Sequence, residues 1–109
     1  MQNTVLLCEL FDLYGDLLTQ RQRDAFSLRY TDDLSLAEIA EELSISRQGA
    51  RDAILHAEEI LLRTEEKLRV HAREQIISAI ADELAALPGA DRGQLIGFSE
   101  KLRAAIFKE

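Results

Sequence analysis

Apolar residues recur every three or four positions along almost the whole chain, and no stretch alternates apolar and polar in the manner of a half-buried strand. The spacing predicts an all-α fold. The clearest passage runs from Ser35 to Ile54. Ser35 followed by Glu38 is a capping-box pattern that starts a helix at Leu36, and Leu36, Ile39, Ala40 and Leu43 give that helix one apolar face. Ser44-Ile45 makes a short turn, Ser46 caps a second helix, and Ala50, Ile54, Ala57 and Leu61 form its inward stripe. The small Ala40 and Ala50 allow two helices to cross closely and steeply, with Ile45 plugging the turn from inside. Cap, spacing, turn and second cap agree on a helix-turn-helix.

The flanking segments follow the same period. A first helix is expected from about Thr4 to Leu18, with Leu6, Leu10, Leu13 and Leu17 on one side and Leu7, Phe11, Tyr14 and Leu18 on the adjacent side. An apolar arc this wide fits either a central helix packed on two sides or one that shares a side with a second copy of the chain. Thr19 with Gln22 is another capping box, opening a second helix to about Tyr30 on which Phe26 and Tyr30 point the same way. Thr31-Asp32-Asp33 reads as a polar loop and helix entry rather than a metal site, since no third ligand is in view.

From Arg47 to about Val70 there is no proline and Gly49 is the only glycine, so the fourth helix is expected to be long. Glu58-Glu59 and Glu65-Glu66 predict a solvated acidic ridge. Leu55 and Leu62 fall away from the inward stripe and form a candidate protein-contact seam, facing the C-terminal region or another subunit. A further helix is expected from Glu74 to Leu87, carrying Ile76, Ile77, Ile80, Leu84 and Leu87 and ended by Pro88-Gly89. Asp91 with Gln94 opens a last helix with Leu95, Phe98, Leu102 and Ile106 as its stripe. The expected organisation is a helix-turn-helix domain over 1–70 and a C-terminal helical hairpin over 71–109.

The chain has 109 residues, room for one modest core, and its formal net charge is −7. The imbalance is concentrated in Met1–Val70, with 14 acidic against 8 basic side chains, while His71–Glu109 holds 6 against 5. A protein that grips nucleic acid mainly through phosphate shows a basic face, and the chain as a whole has none. The lone Cys8 excludes an internal disulfide, fits a reducing compartment, and reads as a small hydrophobe of the first helix. The apolar run Val5–Leu18 is broken by Glu9, Asp12 and Asp16 and lacks a basic leader, so neither a signal peptide nor a membrane span is expected, and the protein is assigned to the cytoplasm.

The sequence offers no catalytic constellation: no nucleophile elbow, no phosphate-binding glycine loop, no cofactor motif and no metal-ligand spacing around His56 or His71. Binding has better support. Arg47 and Arg51 lie one turn apart at the start of the fourth helix and suit phosphate, and Gln48 suits a base edge. Gly49 permits close backbone approach at a helix cost of about 1 kcal/mol. Asp52 and Glu59 share the outward face of Gln48, so binding to duplex DNA is expected to be weak or narrowly specific.

The segments Leu10-Phe11-Asp12-Leu13-Tyr14-Gly15, Leu18-Thr19, Gln22-Arg23, Asp33-Leu34-Ser35-Leu36, Glu38-Ile39-Ala40-Glu41-Glu42 and Ile45-Ser46-Arg47-Gln48-Gly49 together resemble the YlxM group. These are small bacterial helix-turn-helix proteins similar to region four of sigma factors. The resemblance covers roughly Leu6 to Leu68, and its specificity rests on the Leu-Phe-Asp-Leu-Tyr-Gly entry and the Asp52–Glu58 segment. It implies a cytoplasmic accessory or regulatory factor of the signal recognition particle pathway, whose partners are the particle's GTPase, its RNA, or both. Arg47, Gln48 and Arg51 match the recognition-helix positions. After Ile54, where the family often has Lys-Arg, this chain has Leu55-His56, which removes two phosphate contacts and favours protein contact. The alternative function is a sequence-specific DNA-binding transcription regulator, and a homodimer is expected in either case.

Overall fold

A computed structural model describes residues 3–87, 89 and 91–107. Its elements are α1 (Thr4–Tyr14), a 3-10 turn (Gly15–Leu17), α2 (Gln20–Tyr30), α3 (Leu36–Leu43), α4 (Arg47–Leu68), α5 (Val70–Ala85) and α6 (Arg92–Phe107). No strand occurs among the described residues. The chain divides into two compact units, Met1–Leu68 and Arg69–Glu109.

In the first unit α4 is the common support, and α1, α2 and α3 each pack against it. The inward stripe is as the spacing predicts: Ala50, Ile54, Ala57 and Leu61 are all buried, joined by Ala53. Ala25, Ile39, Ala40, Ala50, Ala53 and Ile54 make one cluster, ringed by half-buried Leu28, Leu34, Leu36, Leu43 and Ile45. Three of the six central residues are alanines of α4 and α3, whose small side chains leave the two packed helices room to approach closely. Beside this cluster Phe26 stacks on Phe11 with centroids 4.6 Å apart, linking α1 to α2, and meets Tyr30 of its own helix at a tilt with centroids 4.5 Å apart.

Three differences from the sequence reading have physical causes. The first helix does not run to Leu18: after Tyr14 the chain tightens into a 3-10 turn, and Leu18, extended at φ −82° and ψ 151°, leads into the Thr19 cap. Burial does not follow the two expected sides: Leu10 of the first is buried with Leu7, Tyr14 and Leu18 of the second, whereas Leu13 and Leu17 remain 36% and 61% exposed. Nor is the acidic pattern on α4 a fully solvated ridge. Glu58 is 7% exposed and accepts a hydrogen bond from the Tyr30 hydroxyl, and Glu65 accepts one from Tyr14 at 2.8 Å. Glu59 and Glu66 do face solvent.

The long helix ends at Leu68, where Arg69 takes the left-handed conformation (φ 55°) and α5 begins at once, four residues before the expected start at Glu74. In the second unit α5 and α6 pack on each other around Ile80 and Ala105. The expected Asp91–Gln94 cap is present, with each residue's backbone N–H bonded to the other's side chain, at 2.9 and 2.8 Å. The expected apolar stripes are only partly covered: Ile76, Leu84, Leu95 and Ile106 stay exposed. Of the expected Pro88-Gly89 stop, Pro88 lies outside the described residues and Gly89 has φ 68°. No helix among the described residues is long and apolar enough to cross a membrane.

Candidate nucleic-acid interface

The site is built by local hydrogen bonds that fix where α4 begins. Ser35 Oγ accepts from the Glu38 amide at 3.1 Å and Glu38 returns a bond to the Ser35 amide at 3.0 Å, a complete capping box. Those bonds favour the charged carboxylate and hold Glu38 below the usual carboxylate range. At the far end of α3, Ser44 is left-handed (φ 57°, ψ 45°) and its amide turns back to the carbonyls of Ala40 and Glu41. The Ile45 amide also bonds the Ala40 carbonyl, at 2.9 Å. This closes the helix end in the manner of a Schellman turn and points the half-buried Ile45 into the helix-turn-helix core.

Ser46 then caps α4, its Oγ accepting from the Gly49 amide at 2.9 Å. Gly49 has a local reason to lack a side chain. A Cβ there would lie 3.1 Å from Ser46 Oγ, pressing on the oxygen that makes the cap. The bare backbone therefore serves the turn itself, whatever approaches from outside.

With Ala50 and Ile54 held inward, Arg47, Gln48, Arg51 and Asp52 are all exposed. Among the described residues neither Arg47 nor Arg51 takes part in an ion pair, so both guanidiniums are available to an incoming anion. Gln48 is held. Its Nε2 donates to Asp52 Oδ1 at 2.8 Å, one helical turn along. The two residues expected to share the outward face are thus directly bonded.

Further along α4, Leu55, Glu58, Glu59, Leu62, Arg63 and Glu66 line a shallow groove of about 370 Å³. Leu55 is 47% exposed in it, Leu62 half-buried, and Glu59 is paired with Arg63. The seam therefore lies beside the Arg47–Arg51 face on the same helix but farther toward its C-terminal end. Periodicity missed Glu58, because its burial depends on Tyr30, 28 residues away. His56 is exposed and His71 half-buried, and among the described residues no three metal-ligating side chains come together.

Comparison with known sequences gives one family. The family UPF0122, described as a helix-turn-helix protein, YlxM / p13 like, matches residues 1–92. A UPF0122 protein of Bacillus cereus (strain AH187) is 52% identical over 68 residues, 62% of each chain, and one of Bacillus thuringiensis subsp. konkukian (strain 97-27) has the same figures. The chain thus spans 62% of the length of these Bacillus relatives. A UPF0122 protein of Geobacillus kaustophilus (strain HTA426) is 40% identical over 95 residues, covering 84% of this chain and 86% of its own. The family match extends past Leu68, where the sequence resemblance stopped, through α5 to the first residue of α6.

Proposed function

The chain belongs to the UPF0122 family of YlxM / p13-like helix-turn-helix proteins, and from that premise we propose that it is a non-enzymatic accessory factor of the signal recognition particle pathway, working in the cytoplasm. The start of α4 is its binding face, engaging the particle's RNA, its GTPase, or both. One observation carries this reading. On a strongly acidic chain, the exposed first turns of α4 present two guanidiniums with no ion pair among the described residues, beside a polar amide. Exposed guanidiniums free of internal partners can donate charge-assisted, bidentate hydrogen bonds to a phosphate or carboxylate of a partner. A pull-down from bacterial lysate, with nuclease added to half the sample, tests it. Recovery of the particle's GTPase in both halves identifies a protein contact, and loss with nuclease identifies an RNA contact. Recovery of neither component overturns the assignment.

A second reading, a sequence-specific duplex DNA regulator, is favoured by the bonded Gln48–Asp52 pair, which restricts a side chain suited to base edges. Selection of a single sequence from random duplex distinguishes it. In either role we infer a homodimer. Leu13 of α1, Leu17 of the 3-10 turn and Leu55 of α4 leave apolar area uncovered within the first unit, and a small helical core gains from covering it. Light scattering at micromolar concentration decides this, and a monomer mass would refute it.

A further inference from the structure

Asp52 looks misplaced on a nucleic-acid-binding face, since a carboxylate there repels phosphate. Its bond to Gln48 gives it another purpose. We propose that Asp52 is a positioning residue that fixes the Gln48 amide so that it reads adenine, an inference that rests on the start of α4 binding nucleic acid.

The chemistry constrains the orientation of the amide. An ionised carboxylate only accepts hydrogen bonds, so the Gln48 atom 2.8 Å from Asp52 Oδ1 must be the amide nitrogen. Unrestrained, an exposed glutamine rotates its amide freely and presents donor or acceptor as the partner requires. Bonded to Asp52, it has one hydrogen committed. When the hydrogen anti to the carbonyl is the one given to Asp52, the syn hydrogen and Oε1 form the outward edge, one donor beside one acceptor. Adenine matches that edge at both atoms, with its N6 amino group donating to Oε1 and its N7 accepting from Nε2. Guanine offers two acceptors on the same edge, thymine an acceptor and a methyl group, and cytosine a donor alone. Arg47 and Arg51, exposed on the same turns, supply the phosphate contacts that set the register. Asp52 thus gives up some overall affinity in return for base discrimination.

The adenine edge occurs in the major groove of duplex DNA and on unpaired adenines of RNA, so the test has two arms. The full chain, Gln48→Ala and Asp52→Asn are each used to select from a random duplex DNA pool and a random RNA pool at low salt. Thermal unfolding of each variant verifies folding, which the exposure of both positions favours. The wild type is expected to enrich adenine at one position by roughly 5- to 150-fold, the ratio set by one bidentate base contact. The arm that shows it identifies the source. Gln48→Ala should abolish the preference. Asp52→Asn should lower it by roughly 1.5- to 2-fold, the worth of one exposed hydrogen bond a helical turn apart, while binding the whole pool more tightly, because an asparagine there favours the glutamine's orientation less and does not repel phosphate.

Three results would overturn the inference. If Asp52→Asn tightens binding and leaves the adenine preference intact, Asp52 acts only as a charge. If the wild type retains a pool but enriches no base, or enriches guanine, the adenine reading fails while nucleic-acid binding stands. If neither pool is retained, the inference and the nucleic-acid reading of this face fall together.

Discussion

The Tyr30 hydroxyl donates to the carboxylate of Glu58, joining α2 to the middle of α4 at a point where Glu58 is 7% exposed. One heptad further on, Tyr14 of α1 donates to Glu65. Two tyrosine–carboxylate bonds on one side of α4 thus set the register of both preceding helices against it.

Removing the donor should be costly because the acceptor stays behind. Tyr30→Phe leaves a buried carboxylate short of a partner and is expected to lower unfolding stability by about 1–3 kcal/mol in urea titration. Glu58→Leu combined with Tyr30→Phe removes both polar groups and should cost clearly less than the two single changes added together. Additive costs would mean that the bond contributes nothing specific.

The same bond makes stability sensitive to alkaline pH. Burial of the Tyr30 ring, then the hydrogen bond and negative charge of Glu58, push the phenol well above its ordinary value of 10. In the folded protein Tyr30 keeps its proton when the unfolded chain has begun to lose it. The stabilisation is therefore complete below about pH 10 and declines as pH rises above it. Unfolding midpoints measured between pH 9 and about pH 12 should fall, and Tyr30→Phe should flatten part of that fall. An unchanged slope in the variant would contradict this.

Ser44 occupies a conformation that disfavours any side chain. At φ 57° its Cβ crowds the following carbonyl, and the residue is exposed, so nothing else is gained from the hydroxymethyl group. Ser44→Gly is expected to stabilise the protein by up to about 1 kcal/mol, the relief of strain exceeding the extra chain entropy of glycine. In differential scanning calorimetry this corresponds to a rise of roughly 4–8 °C. A lower melting temperature would show that the serine has a role beyond closing the turn.

Arg47 and Arg51 should separate function from folding. Their joint replacement by alanine is expected to change stability by about 0.5 kcal/mol or less, since both are exposed and neither is in an ion pair among the described residues. Binding to the RNA or GTPase should weaken much more, each charge-assisted hydrogen bond being worth roughly 1.5–3 kcal/mol. Ile54→Ala is the opposite control, costing about 2–5 kcal/mol of stability through a core cavity. Wild-type affinity in the double arginine variant would move attention to the Leu55–Leu62 groove.

What the sequence determined is what short-range chemistry determines. The caps at Thr19–Gln22, Ser35–Glu38, Ser46 and Asp91–Gln94 each join groups three residues apart, so the residue types at that spacing were sufficient to place them. The stripe Ala50–Ile54–Ala57–Leu61 was equally legible, as was the outward setting of Arg47, Gln48 and Arg51, because one face of a helix being buried fixes the other. The tertiary structure decided the rest. Glu59 falls on the outward face with Gln48, but Glu58 sits at the edge of the Ile54–Leu61 stripe, and there the Tyr30 hydroxyl from α2 supplies the partner that lets it be buried. The wide apolar arc of α1 could not say which side faces the core until the helix packed on α4 and left Leu7, Leu10 and Tyr14 buried. Arg69 breaks the helix between two strongly helical segments with neither glycine nor proline to mark it. A left-handed arginine costs about 1–2 kcal/mol locally, so nothing in the residue type itself announces the break.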